Sequence, residues 1–425
     1  MFKGVSSSPT ALWEASAPPA PASAPLQGSK TTDIAIIGAG FTGMSTALHL
    51  AEAGADVCVL DAERIGYGGS GRNVGLANAG LWLEPDTMDA LLGQHAGRKL
   101  YDALAKAPDL VYSLIEKHGI ECEATRNGTL HLAHSSKGFA ELERRHRQLI
   151  ARGAPVELLD AKETEKRTGS PAYVGALFDP RAGTIQPLAY VHGLAHAALK
   201  AGAALYTQSP VTSLVKESSG WLLRTPQGEV RANKVLMATN AYTGDWQHAI
   251  QQSFVPIKYF QYASKPLTPA QRERLLPGLE GCWDTRTVML SFRMDRAGRL
   301  VLGSMGNLLK DDGLKGWADH MCAKLFPWLG KIEWEYSWVG QIAYSEDHLP
   351  HVHQLDDNLI TCLGYSGRGI GPGSLLGQRL AQYLGGDSEA LPLNPVILEP
   401  ISLRDGKKAF YEFGAQMTHL AQRWA

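Results

Sequence analysis

Long apolar runs are missing from this chain. No stretch of 18 uncharged apolar residues occurs in its 425 positions, so no transmembrane helix is expected; peripheral contact with the inner face of a membrane stays open. Paired cysteines are missing too. Cys58, Cys122, Cys282, Cys322 and Cys362 stand far apart, odd in number and without a C-x-x-C, which argues against a disulfide scaffold or a zinc site. An excess of either charge is also absent. With 41 Lys and Arg against 42 Asp and Glu, nothing points to nucleic acid as a partner. The first residues carry one Lys and no apolar run, so no secretory signal is read and a cytoplasmic location is expected.

What the chain does have is concentrated in residues 33–61. Residues 34–37 are apolar, β-branched and too few for a helix, so they read as a buried strand. Gly38, Gly40 and Gly43 follow with G-x-G-x-x-G spacing. The first glycine permits the turn, the second lets a pyrophosphate approach the backbone, and the third lets helix and strand pack closely. Residues 44–53 read as the helix, whose N-terminus offers unpaired N–H groups and a positive dipole end to phosphates. Residues 57–60 read as a second strand. Asp61 closes it, 21 positions after Gly40, where an acid accepts from a ribose 2′-hydroxyl and repels a 2′-phosphate. FAD or NAD is therefore favoured over NADP.

The rest of the chain divides around this unit. Residues 15–25 are Pro, Ala and Ser throughout and are expected to form neither helix nor sheet; the whole of 1–30 should be extended or disordered, with Trp13 able to pin part of it. Residues 66–80 hold six glycines in 15 positions, a loop whose backbone approaches something closely. Residues 86–118 read as one or two helices. Short strands are expected at 128–133, 204–208, 211–216, 221–225, 230–232 and 235–239, and antiparallel ones at 256–265, 288–293 and 300–303. A last core strand at 358–363 runs into a glycine-rich loop at 364–373, and a final helix covers 403–424. The fold class expected is α/β: a Rossmann-like domain assembled from 31–80, 180–250 and 345–395, and an antiparallel-sheet α+β domain from 81–179 and 251–344, with 396–425 as a helical tail.

Four separated motifs occur in order: the 38–61 fingerprint, Gly69-Ser-Gly71-Arg72-Asn73-Val74-Gly75, Ala238-Thr239-Asn240, and Gly364-Tyr365-Ser-Gly367-Arg368-Gly369. Together they resemble the D-amino-acid oxidase superfamily of FAD-dependent oxidoreductases, over nearly all the chain after residue 30. The Pro-rich leader, the Ser-Gly-Arg-Asn loop and the segment from Trp338 to Ile342 are similar to the branch of γ-glutamylputrescine oxidase and L-pipecolate oxidase. The resemblance implies that Gly38, Gly40, Phe41, Thr42, Gly43, Asp61 and Ala62 hold the ADP half of FAD. It implies that Gly71, Arg72, Asn73, Val74, Gly75 and Leu76 line the ring system and pyrophosphate, with Val211 on the adenine side and Ala238, Thr239 and Asn240 at a strand end beside the cofactor. Gly364, Tyr365, Gly367, Arg368, Gly369 and Ile370 would cover the pyrimidine end, where Arg368 or the backbone N–H groups would stabilise anionic reduced flavin. Two departures stand out. Sarcosine- and glycine-type relatives commonly clamp the substrate carboxylate with an Arg in G-x-R-P, but Gly340-Gln341-Ile342-Ala343 puts Ile342 there. Cys362 is read as a core residue rather than a covalent attachment point, so FAD is expected to be non-covalent.

The reaction implied is oxidation of a C–N bond in a small amine or imino acid, with hydride passing to flavin N5 and an imine left behind; oxygen or a respiratory acceptor then reoxidises the flavin. No strong general base is required. Four candidates are named for the substrate pocket. Lys258, mid-strand among apolar residues, meets a carboxylate, helps oxygen reduction, or is an edge lysine facing water. Tyr259 closes the pocket or packs in the core. Arg293 offers a bidentate fork to a carboxylate or makes a structural ion pair. Trp338 packs on substrate or in the core. His348, His351 and His353 sit in a proline-containing loop setting, and no metal is assigned to them. An NAD-dependent dehydrogenase and a non-catalytic FAD-binding subunit remain alternatives.

Overall fold

The computed structural model describes residues 11–307 and 315–424. Residues 1–10 of the expected extended leader, and residue 425 of the helical tail, lie outside the described residues.

Residues Ile34 to Ile37 form the buried end of strand Gly28–Ile37. Helices cover the sheet there, so every side chain is apolar rather than every second one. The strand pairs in parallel with Val57–Leu60 on one side and Gly228–Met237 on the other. The full order runs His351–Asp356, Leu359–Leu363, Gly228–Met237, Gly28–Ile37, Val57–Leu60 and Ala204–Tyr206, with the hairpin strands Ser213–Glu217 and Gly220–Arg224 attached to Gly228–Met237. Its strands come from three stretches far apart in sequence. A second eight-stranded sheet runs Trp334–Tyr344, Val255–Ser264, Leu300–Met305, Leu290–Met294, Gly281–Asp284, Thr129–Ala133, Gly175–Asp179 and Glu157–Asp160. All its pairings are antiparallel except Gly281–Asp284 with Thr129–Ala133. This is the expected α/β class with an added antiparallel sheet.

Several boundaries differ from the sequence reading. Gly228–Met237 is one strand of ten residues, not two. Its polar middle, Asn233-Lys234, looks like a turn but stays extended because parallel pairing with Gly28–Ile37 runs along it. Residues 86–118 form three helices, Pro85–Leu92, Gln94–Ala105 and Ala107–His118. The described part of the leader begins with a helical turn, Leu12–Ser16, so Ala15 and Ser16 are helical despite the Pro-rich sequence after them. Trp13 is fully buried, its Nε1 donating to the Asn73 carbonyl at 2.8 Å.

Helix packing brings the two glycine-rich corners together. Helix Phe41–Glu52 follows the first corner and helix Ile370–Leu384 follows the last. They touch where side chains are small: a Cβ on Gly377 would lie 2.6 Å from Ser45 Cβ. Ser45 Oγ donates to the Ser374 carbonyl at 2.7 Å, and the Thr42 and Tyr365 hydroxyls share a 2.7 Å bond. Among the described residues, no helix is long and apolar enough to cross a membrane.

Candidate active site

One cleft of about 700 Å³ runs from the C-terminal edge of the first sheet to the face of the second, the usual place for a ligand on an open α/β sheet and within the usual size of ligand pockets. Gly38, Gly40, Phe41 and Thr42 line one wall, and Gly367, Gly369, Ile370 and Tyr365 line another. The geometry demands the first corner's glycines. A Cβ on Gly43 would sit 1.9 Å from the Gly38 carbonyl oxygen. Gly38 itself has φ +110° and lies against the Ala238 carbonyl.

Asp61 and Ala62 line the cleft at the end of the second strand, with Val211 nearby. Asp61 accepts from the Ala39 N–H at 2.6 Å and the Glu63 N–H at 2.8 Å. Burial pushes its carboxyl up, and those two N–H donors oppose the shift. Ala238, Thr239 and Asn240 also line the cleft. Asn240 adopts φ +43° and accepts from the Gly364 N–H at 3.3 Å, tying the middle motif to the last one.

The Ser-Gly-Arg-Asn loop splits between a front and a back. Asn73, Val74 and Leu76 line the cleft; Gly71, Arg72 and Gly75 do not. Gly71 packs against the Gly66 carbonyl and Gly75 against the Ile185 carbonyl, neither leaving room for a Cβ. The Arg72 guanidinium lies over the Tyr67 ring, 4.4 Å from its centroid. Gly43 and Gly364 likewise shape the turns from outside the lining.

Of the four pocket candidates, the structure brings only Tyr259 to the cleft. Its ring covers Gly340, where a Cβ would collide at 2.2 Å, and its buried hydroxyl has no partner. Lys258 is its strand neighbour, so its side chain leaves on the opposite face, half-buried and off the lining. Arg293 is a brace rather than a carboxylate partner. Fully buried, it donates to the carbonyls of Ile185, Gly75 and Met294 and lies over the Trp13 ring. Burial pushes its pKa down to about 10. Trp338 is a brace as well, donating to the Arg72 carbonyl at 2.8 Å and packing edge-on against Trp13. Arg293, Trp338 and Trp13 thus hold the loop's back from three sides.

The far end of the cleft is aromatic. Trp82, from the loop after the glycines, and Trp283, on the second sheet, stand at 90° with centroids 4.8 Å apart. The Arg368 guanidinium lies 4.5 Å from one ring and 4.4 Å from the other. Trp82, Trp283, Tyr242, Gln341 and Ser291 line the cleft unforeseen. Each is a single residue on a different element, with no spacing that marks it. Strand alternation was the one usable signal, since it allows only one of Lys258 and Tyr259 to face the cleft.

The family model described as FAD dependent oxidoreductase matches residues 33–383. The chain belongs to this family. A probable oxidoreductase OrdL of Rhizobium meliloti is 31% identical over 395 residues, 91% of each chain. A γ-glutamylputrescine oxidoreductase of Escherichia coli is 31% identical over 368 residues, 86% of each. The crystal structure of glycine oxidase from Geobacillus kaustophilus superposes with a TM-score of 0.72 at 23% identity, over 88% of this chain and all of that one; it shares the fold.

The residues present fit FAD. An added Cβ at Gly38, Gly40 or Gly43 would meet an atom within 2.9 Å, so the backbone is bare there, as a close-lying pyrophosphate requires. The first-turn N–H groups of helix Phe41–Glu52 have no intrahelical acceptor by position. Asp61 has lone pairs beyond those its two backbone donors use. All five cysteines are buried and none lines the cleft, with Cys362 Sγ 3.2 Å from the Tyr365 hydroxyl. The protein is an FAD-dependent oxidoreductase.

Proposed function

We propose that this enzyme oxidises the C–N single bond of a small amine or imino acid, L-pipecolate-like or γ-glutamylputrescine-like, to an imine, with FAD held non-covalently. The observation that carries the reading is the continuity of the cleft: its nucleotide-shaped half opens into an aromatic chamber walled by Tyr259, Trp82 and Trp283. The names of relatives agree, one a γ-glutamylputrescine oxidoreductase and one a glycine oxidase.

When bound, FAD supplies the two-electron acceptor. The chain's own residues do the rest. Asn73 fixes the loop under the ring site, its side chain donating to the Gly69 and Ser70 carbonyls and accepting from the Gly75 N–H. Tyr259 and the two tryptophans exclude water and hold the amine in place. Oxygen or a respiratory carrier is the proposed final acceptor, and the cytoplasm the proposed location.

Anaerobic mixing of the purified protein with a panel of amines and imino acids tests this. Bleaching of the flavin absorbance by at least one secondary amine is expected. A panel that leaves it unchanged favours the non-catalytic subunit instead.

A further inference from the structure

Among the described residues, one cationic side chain lines the cleft: Arg368. It leaves its glycine-rich corner toward the second sheet, between the rings of Trp82 and Trp283, with its Nη1 donating to the Ala79 carbonyl at 3.4 Å. It is buried and its Nε has no partner. Among the described residues it forms no ion pair, and Asp179 acts on it only from a distance. Behind it lies a chamber of about 50 Å³, which it shares with Arg145, Asp179 and Arg181. Asp179 is already held by Arg181 at 2.6 Å. Arg145 spends its donors on the Trp82 and Leu83 carbonyls, and its own Nε is unpartnered. Two buried guanidiniums therefore stand near one another without a free anion between them, and a buried charge without a partner is costly. The chamber has room for only a few waters, so an organic anion reaches Arg368 from the cleft side.

The position matters as much as the charge. A Cβ on Gly367 would lie 3.5 Å from Ile342 Cδ1 and 3.7 Å from Trp82 Nε1. The corner that carries Arg368 thus lies beside Ile342, which carries no charge. We propose that Arg368 binds the substrate's carboxylate, so that the enzyme takes amines bearing a carboxylate and discriminates against neutral analogues. The two rings stand at 90°, so they hold the guanidinium by cation–π contact, and its planar fork offers donors for a two-point contact. Burial and the neighbouring Arg145 draw its pKa down to about 9, so the cation persists at neutral pH. This rests on the reading above, that the cleft holds flavin and an amine.

The test uses the flavin-loaded protein and ligands that cannot be oxidised: acetate, pyrrole-2-carboxylate and cyclohexanecarboxylate, each against its carboxamide. Dissociation constants are read from tryptophan fluorescence and from the flavin absorbance. Wild type should bind at least one carboxylate about 100-fold tighter than its amide, and R368Q should lose that preference while its amide affinity holds, as expected when one partner of a buried charge pair is removed. R368K, which keeps the charge but not the planar fork, should bind the carboxylate about tenfold more weakly than wild type. A wild type indifferent to carboxylates overturns the assignment, as does undiminished preference in R368Q or unchanged affinity in R368K. If R368Q instead shifts the flavin's reduction potential and keeps the preference, Arg368 serves the flavin and the assignment falls. A purified chain with no flavin absorbance sinks the proposed function; a flavin-loaded chain blind to carboxylates sinks this inference alone.

Discussion

The two halves of the cleft are built from different material. In the nucleotide half much of the wall is backbone, at Gly38, Gly40, Gly367 and Gly369, with Asp61 at a strand end. In the substrate half the wall is side chain: Tyr259, Trp82, Trp283 and Arg368, drawn from four separate elements. At Gly38 an added Cβ would lie 2.8 Å from the Ala238 carbonyl oxygen and at Gly40 2.9 Å from Ser70 Oγ, while Gly367 is held to glycine by its φ of +92°. A side-chain wall can be rebuilt one residue at a time while the fold stands. The contrast separates the part of the cleft that backbone geometry fixes from the part that single side chains shape.

Substitutions should break the two halves differently. The largest effect is expected at Gly43. In G43V the new side chain begins 1.9 Å from the Gly38 carbonyl, so the purified protein should carry no stoichiometric flavin and melt well below wild type; absorbance and a thermal scan check this. D61A comes next. It removes the carboxylate that organises Ala39 and lines the cleft, and FAD should bind about 10- to 100-fold more weakly, the cost of charge-assisted hydrogen bonds, by titration of the apoprotein. W283L cuts into the other half. Flavin content should not change, while carboxylate ligands should bind about tenfold more weakly as one of the two rings holding Arg368 is lost. K258M should do least, within about twofold of wild type in flavin content and turnover, since the side chain lies on the far face of its strand. A K258M enzyme that is severely impaired would mean the two faces of strand Val255–Ser264 have been misassigned.

How much could be read from the chain follows the same division. Close backbone approach forces glycine, and glycine at fixed intervals is visible in a sequence, so the corner at Gly38–Gly43 and its partner at Gly364–Gly369 were legible. Asp61 was legible because a strand end fixes its place. Arg293 and Trp338 were pocket candidates with a structural alternative each, because a charge or a large ring in a strand fits either role; in the structure both face the rear of the Gly71–Gly75 loop, a relation set by packing between the second sheet and the leader. The ordering of Trp13 has the same origin. Its Pro-rich surroundings carry little local preference, and the cavity between Asn73, Gln186 and Trp338 decides its position. Trp82 and Trp283 stand 201 positions apart, and nothing local in either stretch points to the other.

The most direct measurement is the flavin content of the purified chain. The two glycine-rich corners, joined through Ser45 and Gly377, should hold one FAD per chain, released intact into the supernatant on acid precipitation. A chain that binds no FAD even after reconstitution with excess cofactor, or one whose flavin stays with the precipitate, would contradict that arrangement.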